Sequence, residues 1–252
     1  MENQDRSIGI INKNGVKLLA ALTMLIDHAG LLLFPSAHWM RLIGRMAFPL
    51  FAFSVGEGCL YSKHRLRYFS RVAVLGVLCQ IVYVADALLE GQNLLTGGAL
   101  YFNVLLTFSM SIPLCTFFLL MREKKSIRYG VLFFAVLAVI FAADVTCRFL
   151  ASYLHWYICF DYMAVGALLP LFAVVRQDKI GQLISFGIGL TAFCLATAKD
   201  LPYIWWAFGA LLILCLYNGK TGKYYAKFKY AFYLFYPLHL LALYAIYFLL
   251  HK

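Results

Sequence analysis

Charge is what this sequence has least of. Only 13% of its 252 residues are Asp, Glu, Lys or Arg, while 63% are hydrophobic; an ordinary soluble domain carries about 25% charged residues. A soluble fold of this size has no interior large enough for that much apolar surface, so soluble architectures are excluded. Acidic residues are scarcer still, 11 against 22 Lys and Arg, for a net charge of +11. In a soluble chain that excess suggests nucleic acid; here a membrane explains it, and no nucleic-acid partner is expected. The seven cysteines (59, 79, 115, 147, 159, 194 and 215) form no CxxC pair and have no metal-type spacing with histidine. They read as small hydrophobes packed in helices, their odd number argues against a full disulfide framework, and no metal is expected. No soluble domain, linker, low-complexity tract or convincing internal repeat interrupts the chain, and the missing repeat weakens the signature common among secondary transporters. The first fifteen residues are polar and mixed in charge, and the first apolar run carries Asp27 and His28. No cleavable signal peptide is therefore expected, and the first span is expected to be retained.

What the chain does have is apolar runs, at about 16–34, 40–60, 72–90, 98–121, 128–146, 153–175, 180–198, 202–217 and 231–250. With about 20 apolar residues needed per crossing, these predict an all-α, polytopic membrane helix bundle of about nine transmembrane helices, forming one integral-membrane domain over 1–252. Basic residues sort by loop. They gather before the first run and after the second, fourth, sixth and eighth, which places 17 of the 22 on one side. By the positive-inside rule the N-terminus is cytoplasmic and the C-terminus outside, in a plasma (inner) membrane.

Ionisable residues inside such runs are costly, by about 2.5–3.5 kcal/mol on insertion scales, and each is a candidate for function. At 1.5 Å per residue, Asp27 lies roughly 16 Å from the cytoplasmic edge, with His28 beside it. Arg45, on the returning span, lies roughly 8 Å from the outer edge, within reach of Asp27. Pro49 cannot supply the N–H that would bond the carbonyl of residue 45, which bends the helix beside the charge. The alternative for Arg41 and Arg45 is that they snorkel outward. Asp161 falls some 18 to 20 Å from the cytoplasmic face and His239 roughly 12 Å, with Pro237 just ahead of it releasing the carbonyl of Tyr233.

On the cytoplasmic side, Glu57 lies between two glycines in Ser54-Val55-Gly56-Glu57-Gly58 and reads either as functional or as an interfacial anchor. Lys63 to Arg71 and Asn218-Gly219-Lys220-Thr221-Gly222-Lys223 sit on the same face. The second string is turn chemistry with free N–H groups and two ammonium groups. It suits phosphate without having the GxxxxGK[ST] spacing of a Walker loop. Simple topological retention accounts for the same basic loops.

These residues occur in strings that are specific together. Lys17-Leu-Leu-Ala-Ala-Leu-Thr-Met24-Leu-Ile-Asp27-His28-Ala-Gly30 is followed by Arg41-Leu-Ile-Gly44-Arg45-Met-Ala-Phe48-Pro49-Leu-Phe51-Ala-Phe53. Further on come Tyr68-Phe-Ser-Arg71, Asn103-Val-Leu-Leu-Thr107, Asp161-Tyr162, Tyr217-Asn218-Gly219-Lys220-Thr-Gly222 and Phe232-Tyr233-Leu-Phe235-Tyr236-Pro237-Leu-His239-Leu. In this order, almost end to end, the chain resembles the TraX family, whose namesake acetylates the N-terminus of processed F-pilin. It is similar, more widely, to transmembrane acyltransferases. The sequence departs from the family pattern at Met163, where a glycine usually follows the Asp-Tyr pair, and at Cys79-Gln80, where Ser-Gln is common.

The resemblance implies an acetyltransferase taking acetyl-CoA as co-substrate at the cytoplasmic side. Its acceptor would be a peptide N-terminus, a sugar or a lipid head group, reached within or across the bilayer. In such a reaction His28 is expected to act as base, with Asp27 or Asp161 fixing its tautomer. Adjacent helical residues point about 100° apart, so Asp27 pairs more readily with Arg45 than with His28. Arg45 stabilises the oxyanion or holds Asp27 ionised, and His239 and Tyr236 serve as acid, base or acyl-holding groups. The donor's phosphates are expected near Arg65, Arg67, Arg71, Asn218, Lys220 and Lys223, with Glu57 on the same face. A proton-coupled transporter using the same cluster, or a non-catalytic membrane assembly subunit, are the competing readings.

Overall fold

The computed structural model describes residues 9–97, 100–199, 203–222 and 225–250, apart from the side chains of 225–230 and 233. Among these residues the fold is all-α save for one two-residue ladder and an isolated bridge. Its helices are α1 (Lys13–Leu32), α2 (His38–Gly44), α3 (Ala47–Tyr61), α4 (Arg65–Leu89), α5 (Val104–Lys124), α6 (Ile127–Leu154), α7 (Met163–Phe172), α8 (Lys179–Thr197), α9 (Gly209–Cys215) and α10 (Tyr225–Leu250). Strands β1 (Tyr101–Phe102) and β2 (Cys159–Phe160) pair in parallel, and a 3-10 turn, Ile204–Phe208, leads into α9.

Among the described residues α1, α4, α5, α6 and α8 are each long and apolar enough to cross a bilayer, and the protein is a membrane protein on that ground. Other apolar runs are built as broken helices. The second run divides into α2 and α3 at Arg45–Met46, with Pro49 in the first turn of α3, where a missing N–H costs little. The sixth run begins as the end of α6, passes through non-helical backbone and β2, and continues as α7, ten residues or about 15 Å long. The eighth is the 3-10 turn followed by α9.

The chain forms two compact units, residues 1–54 with 175–252, and residues 55–174. In the first unit α1 packs chiefly on α2 and α10. The chain entering α1 lies along the turn after α9: Ile11 bridges Tyr217 in parallel, Ile11 N–H donates to the Leu216 carbonyl at 2.9 Å, and Asn218 N–H donates to that of Ile11 at 2.9 Å. These two basic segments therefore occupy one end of the unit, as the alternation of charged loops requires. Phe53 meets Phe186 and Tyr217 edge-on at 5.3 and 5.6 Å, and Phe48 stacks on Phe193 at 4.9 Å. Asp178 caps α8 by accepting from Gly181 N–H at 2.8 Å; that bond and the Arg176 guanidinium hold its carboxyl below the usual carboxylate range.

In the second unit α5 is central and packs on α4, α6 and α7. Leu114 of α5, Phe133 and Ile140 of α6, and Ala164 and Ala167 of α7 form an apolar cluster. Asn103 caps α5: its Oδ1 accepts from Leu105 N–H at 3.1 Å, and its Nδ2 donates to the Gly76 carbonyl at 2.8 Å and to Gln80 Oε1 at 3.1 Å. Arg65 and Glu123 pair at 2.9 Å at one end of this unit. At the other, β1 lies on β2 and Tyr157 N–H donates to the Leu95 carbonyl at 2.8 Å. The basic loops before α4 and after α5 thus share an end here too.

Candidate active site

The polar cluster of the first unit is assembled from α1, the α2–α3 break and α10. α1 starts at an Asn12 cap, which accepts from Gly15 N–H at 2.9 Å. It then carries Asp27 and His28, adjacent in sequence, toward different neighbours. Asp27 turns to Arg41 of α2: Nη1 stands 2.8 Å from Asp27 Oδ1 and donates to the Asp27 carbonyl at 3.2 Å. At Oδ1 the contact is an ion pair rather than an aligned hydrogen bond. Gly44, one turn past Arg41, admits the carboxylate, since a Cβ there would strike Asp27 Oδ1, Cβ and Cγ. Arg45, expected to meet Asp27, sits at the α2–α3 break and is only 8% exposed.

His28 turns to α10. Its Nδ1 lies 3.0 Å from His239 Nε2, with the two ring centroids 5.1 Å apart. His239 is buried, its Nδ1 2.9 Å from the carbonyl oxygen of Phe235 one turn earlier in α10. The Phe235 ring stacks on the His239 ring at 5.0 Å and 8°, and buried Tyr236 meets it edge-on at 5.5 Å. The imidazole of His239 is thereby fixed in position by a carbonyl and two aromatic rings.

Five of the six expected catalytic residues, Asp27, His28, Arg45, Tyr236 and His239, lie in this unit. Asp161 belongs to the other. There its N–H donates to the Phe102 carbonyl at 2.9 Å, its carbonyl accepts from the Thr107 hydroxyl at 2.8 Å, and its Oδ1 lies 3.4 Å from the Tyr101 hydroxyl. These bonds tie β2 to β1 and the first turns of α5. Within the first unit Asp27 is held by Arg41, and the group that meets His28 Nδ1 is His239.

The residues expected near phosphate also divide between units. Arg65 is engaged, Nε to the Cys59 carbonyl at 3.1 Å and Nη2 to Glu123 at 2.9 Å. Arg67, exposed, and Arg71, half-buried, lie on the first turns of α4, Arg71 Nε donating to the Arg67 carbonyl at 3.1 Å. Glu57 is buried in α3. In the first unit Asn218 Oδ1 accepts from Lys220 N–H at 2.9 Å, Gly219 takes φ +73°, and Lys220 is exposed. Gly222 faces the side-chain amides of Asn12 and Asn14. Lys223 lies outside the described residues.

Sequence reasoning missed Arg41 as the Asp27 partner, Gly44 as the seat of that carboxylate, and the Phe235 carbonyl. The available signal was the Arg41-x-x-Gly44 spacing, which puts a cation and an open backbone on one helical face.

The TraX protein family profile matches residues 12–247. The chain belongs to the TraX family. This TraX-family chain is 26% identical over 243 residues to a probable fimbrial assembly protein, FimC of serogroup H1, from Dichelobacter nodosus, covering 89% of this chain and 91% of that protein. It is 42% identical over 66 residues to an uncharacterized protein, RP591, from Rickettsia prowazekii (strain Madrid E), a match covering 26% of the chain and 25% of that protein. No solved structure matches it. Both the α1–α2 cluster and the His239 end of α10 fall within the TraX-matched residues.

Proposed function

We propose that this TraX-family protein is a membrane acetyltransferase, moving an acetyl group from cytoplasmic acetyl-CoA to an amine or hydroxyl acceptor at the plasma (inner) membrane. The observation that supports this reading best is the His28–His239 contact at 3.0 Å, a backed imidazole on a membrane helix within one unit of two arginines. His28 takes the acceptor's proton as its nitrogen or oxygen attacks the thioester carbonyl. The carbon–sulfur bond breaks, and CoA leaves as the thiol with the proton His28 collected. Arg45 offers charge to the oxyanion while Arg41 holds Asp27. The Asn218–Gly222 turn with Lys220 suits the donor's phosphates, with Lys223 a further candidate beside it in sequence; Arg65, Arg67, Arg71 and Glu57 of the second unit are the alternative candidates. The fimbrial assembly name of the Dichelobacter relative favours a peptide N-terminus as acceptor over a sugar or lipid head group.

Melting the detergent-purified protein against acetyl-CoA, with acetate and unrelated nucleotides as controls, tests donor binding, because a ligand of the folded state raises apparent stability. Release of free CoA thiol with candidate acceptors tests turnover, and His28→Ala is expected to abolish it while leaving the protein folded. Absence of both stabilisation and thiol release would favour the assembly-subunit reading that the same relative's name also suits.

A further inference from the structure

The bonds around His239 have a direction that can be worked out atom by atom. A backbone carbonyl only accepts, so His239 Nδ1, 2.9 Å from the Phe235 oxygen, carries a proton. In neutral His239 the lone pair is then on Nε2. That atom faces His28 Nδ1 at 3.0 Å, so His28 Nδ1 is the donor and carries the proton of its ring. The unprotonated nitrogen of His28 is consequently Nε2, on the far side of the imidazole from α10. No other assignment of neutral rings satisfies both contacts.

We infer that His239 is a positioning residue for His28. Through a carbonyl–imidazole–imidazole relay it fixes the His28 Nδ1–H tautomer and presents Nε2 as the basic atom. The relay rests on the acetyltransferase reading only for its consequence in catalysis. When Nε2 accepts the acceptor's proton, the His28 Nδ1–H bond to His239 becomes charge-assisted. A further shift of that proton to His239 Nε2 leaves His239 protonated at both nitrogens, its Nδ1–H still donating to Phe235. The reverse movement restores the proton for the departing thiolate. Asp27, the adjacent carboxylate, takes no part because Arg41 holds it, 2.8 Å away. A neutral imidazole in this role also spares the membrane interior the desolvation of a carboxylate.

The test is nitrogen-detected NMR of the whole protein, histidine-labelled and purified in micelles. Its six histidines are few enough to assign by substitution. In the unmodified protein near neutral pH, both His28 and His239 are expected as Nδ1–H tautomers. His239→Gln, whose Oε1 accepts in place of Nε2, keeps His28 as Nδ1–H. His239→Phe, similar in shape with no acceptor, releases His28 to Nε2–H. If thiol release is established, His239→Phe is expected to lower kcat by about 100-fold or more with little change in KM, and His239→Gln to restore part of that loss. A His28 found as Nε2–H in the unmodified protein overturns the relay, as does a His239→Phe spectrum with His28 unchanged. The tautomers are read without turnover, so a correct pattern with no acetyl transfer would sink the enzyme reading alone.

Discussion

Arg41 of α2 sets its Nη1 2.8 Å from the carboxylate of Asp27 and 3.2 Å from the carbonyl of the same residue. One guanidinium thus holds both side chain and backbone of α1 at the turn carrying His28. Their side chains are 24% and 18% exposed, so removing one partner leaves the other largely desolvated. Arg41→Ala is expected to cost roughly 3 kcal/mol in unfolding from micelles, and the Arg41→Met, Asp27→Asn double variant less than the sum of its parts, by about 1 kcal/mol or more. Additive single effects would remove the pair as a source of stability.

Asn103 carries three bonds at the start of α5 and is 5% exposed. Asn103→Ala strips the cap and removes the side-chain donor to the Gly76 carbonyl and Gln80 Oε1. It is expected to cost about 2 kcal/mol or more, and Asn103→Asp, which keeps the cap acceptor but sets a buried carboxylate oxygen against those two acceptors, at least as much. Exchange of the Leu105 amide against deuterium checks the cap directly.

Five described non-glycine residues at helix ends take left-handed backbone: Lys125 at φ 49°, His155 at φ 53°, Tyr162 at φ 58°, Met163 at φ 49° and Tyr203 at φ 65°. Lys125 and His155 are exposed caps of α5 and α6. Glycine at either is expected to raise unfolding stability by about 1 kcal/mol. At Met163 the gain is expected to be smaller, because the side chain it removes lines a small cleft with Met110, Ile140 and Ala164 between α5, α6 and α7.

Asp178 gives the pH dependence a sign. Its carboxyl is held low by Gly181 N–H and Arg176, so its contribution is complete above the unfolded carboxylate pKa of about 3.9 and is lost as pH falls through the lower folded value. Asp178→Asn keeps the cap without the titration. Its melting temperature is expected to fall less than that of the unmodified protein between about pH 5 and pH 2, the difference shrinking in high salt.

Long apolar runs made the membrane helices legible, and Pro49 made the break in the second run legible, because proline's missing N–H acts locally. The backbone from His155 to Asp161 was hidden inside an equally apolar stretch, where nothing in composition separates helix from turn. Heights along the membrane normal came from 1.5 Å per residue, and they placed Asp27, His28, Asp161 and His239 at similar depth. Azimuth did not come with them. Arg41 and Arg45 are one turn apart on the same helical face, so depth alone favoured Arg45. The end of α2 at Gly44 turns Arg45 into the break and leaves Arg41 facing Asp27.

The two histidines that meet at 3.0 Å are 211 positions apart. Their unit is stitched from both ends of the sequence, while residues 55–174 are contiguous. As the chain leaves the ribosome, the middle unit has all of its helices before α10 exists. His28 enters the bilayer early, and its contact with His239 forms only once α10 has been made, late in the assembly of the unit.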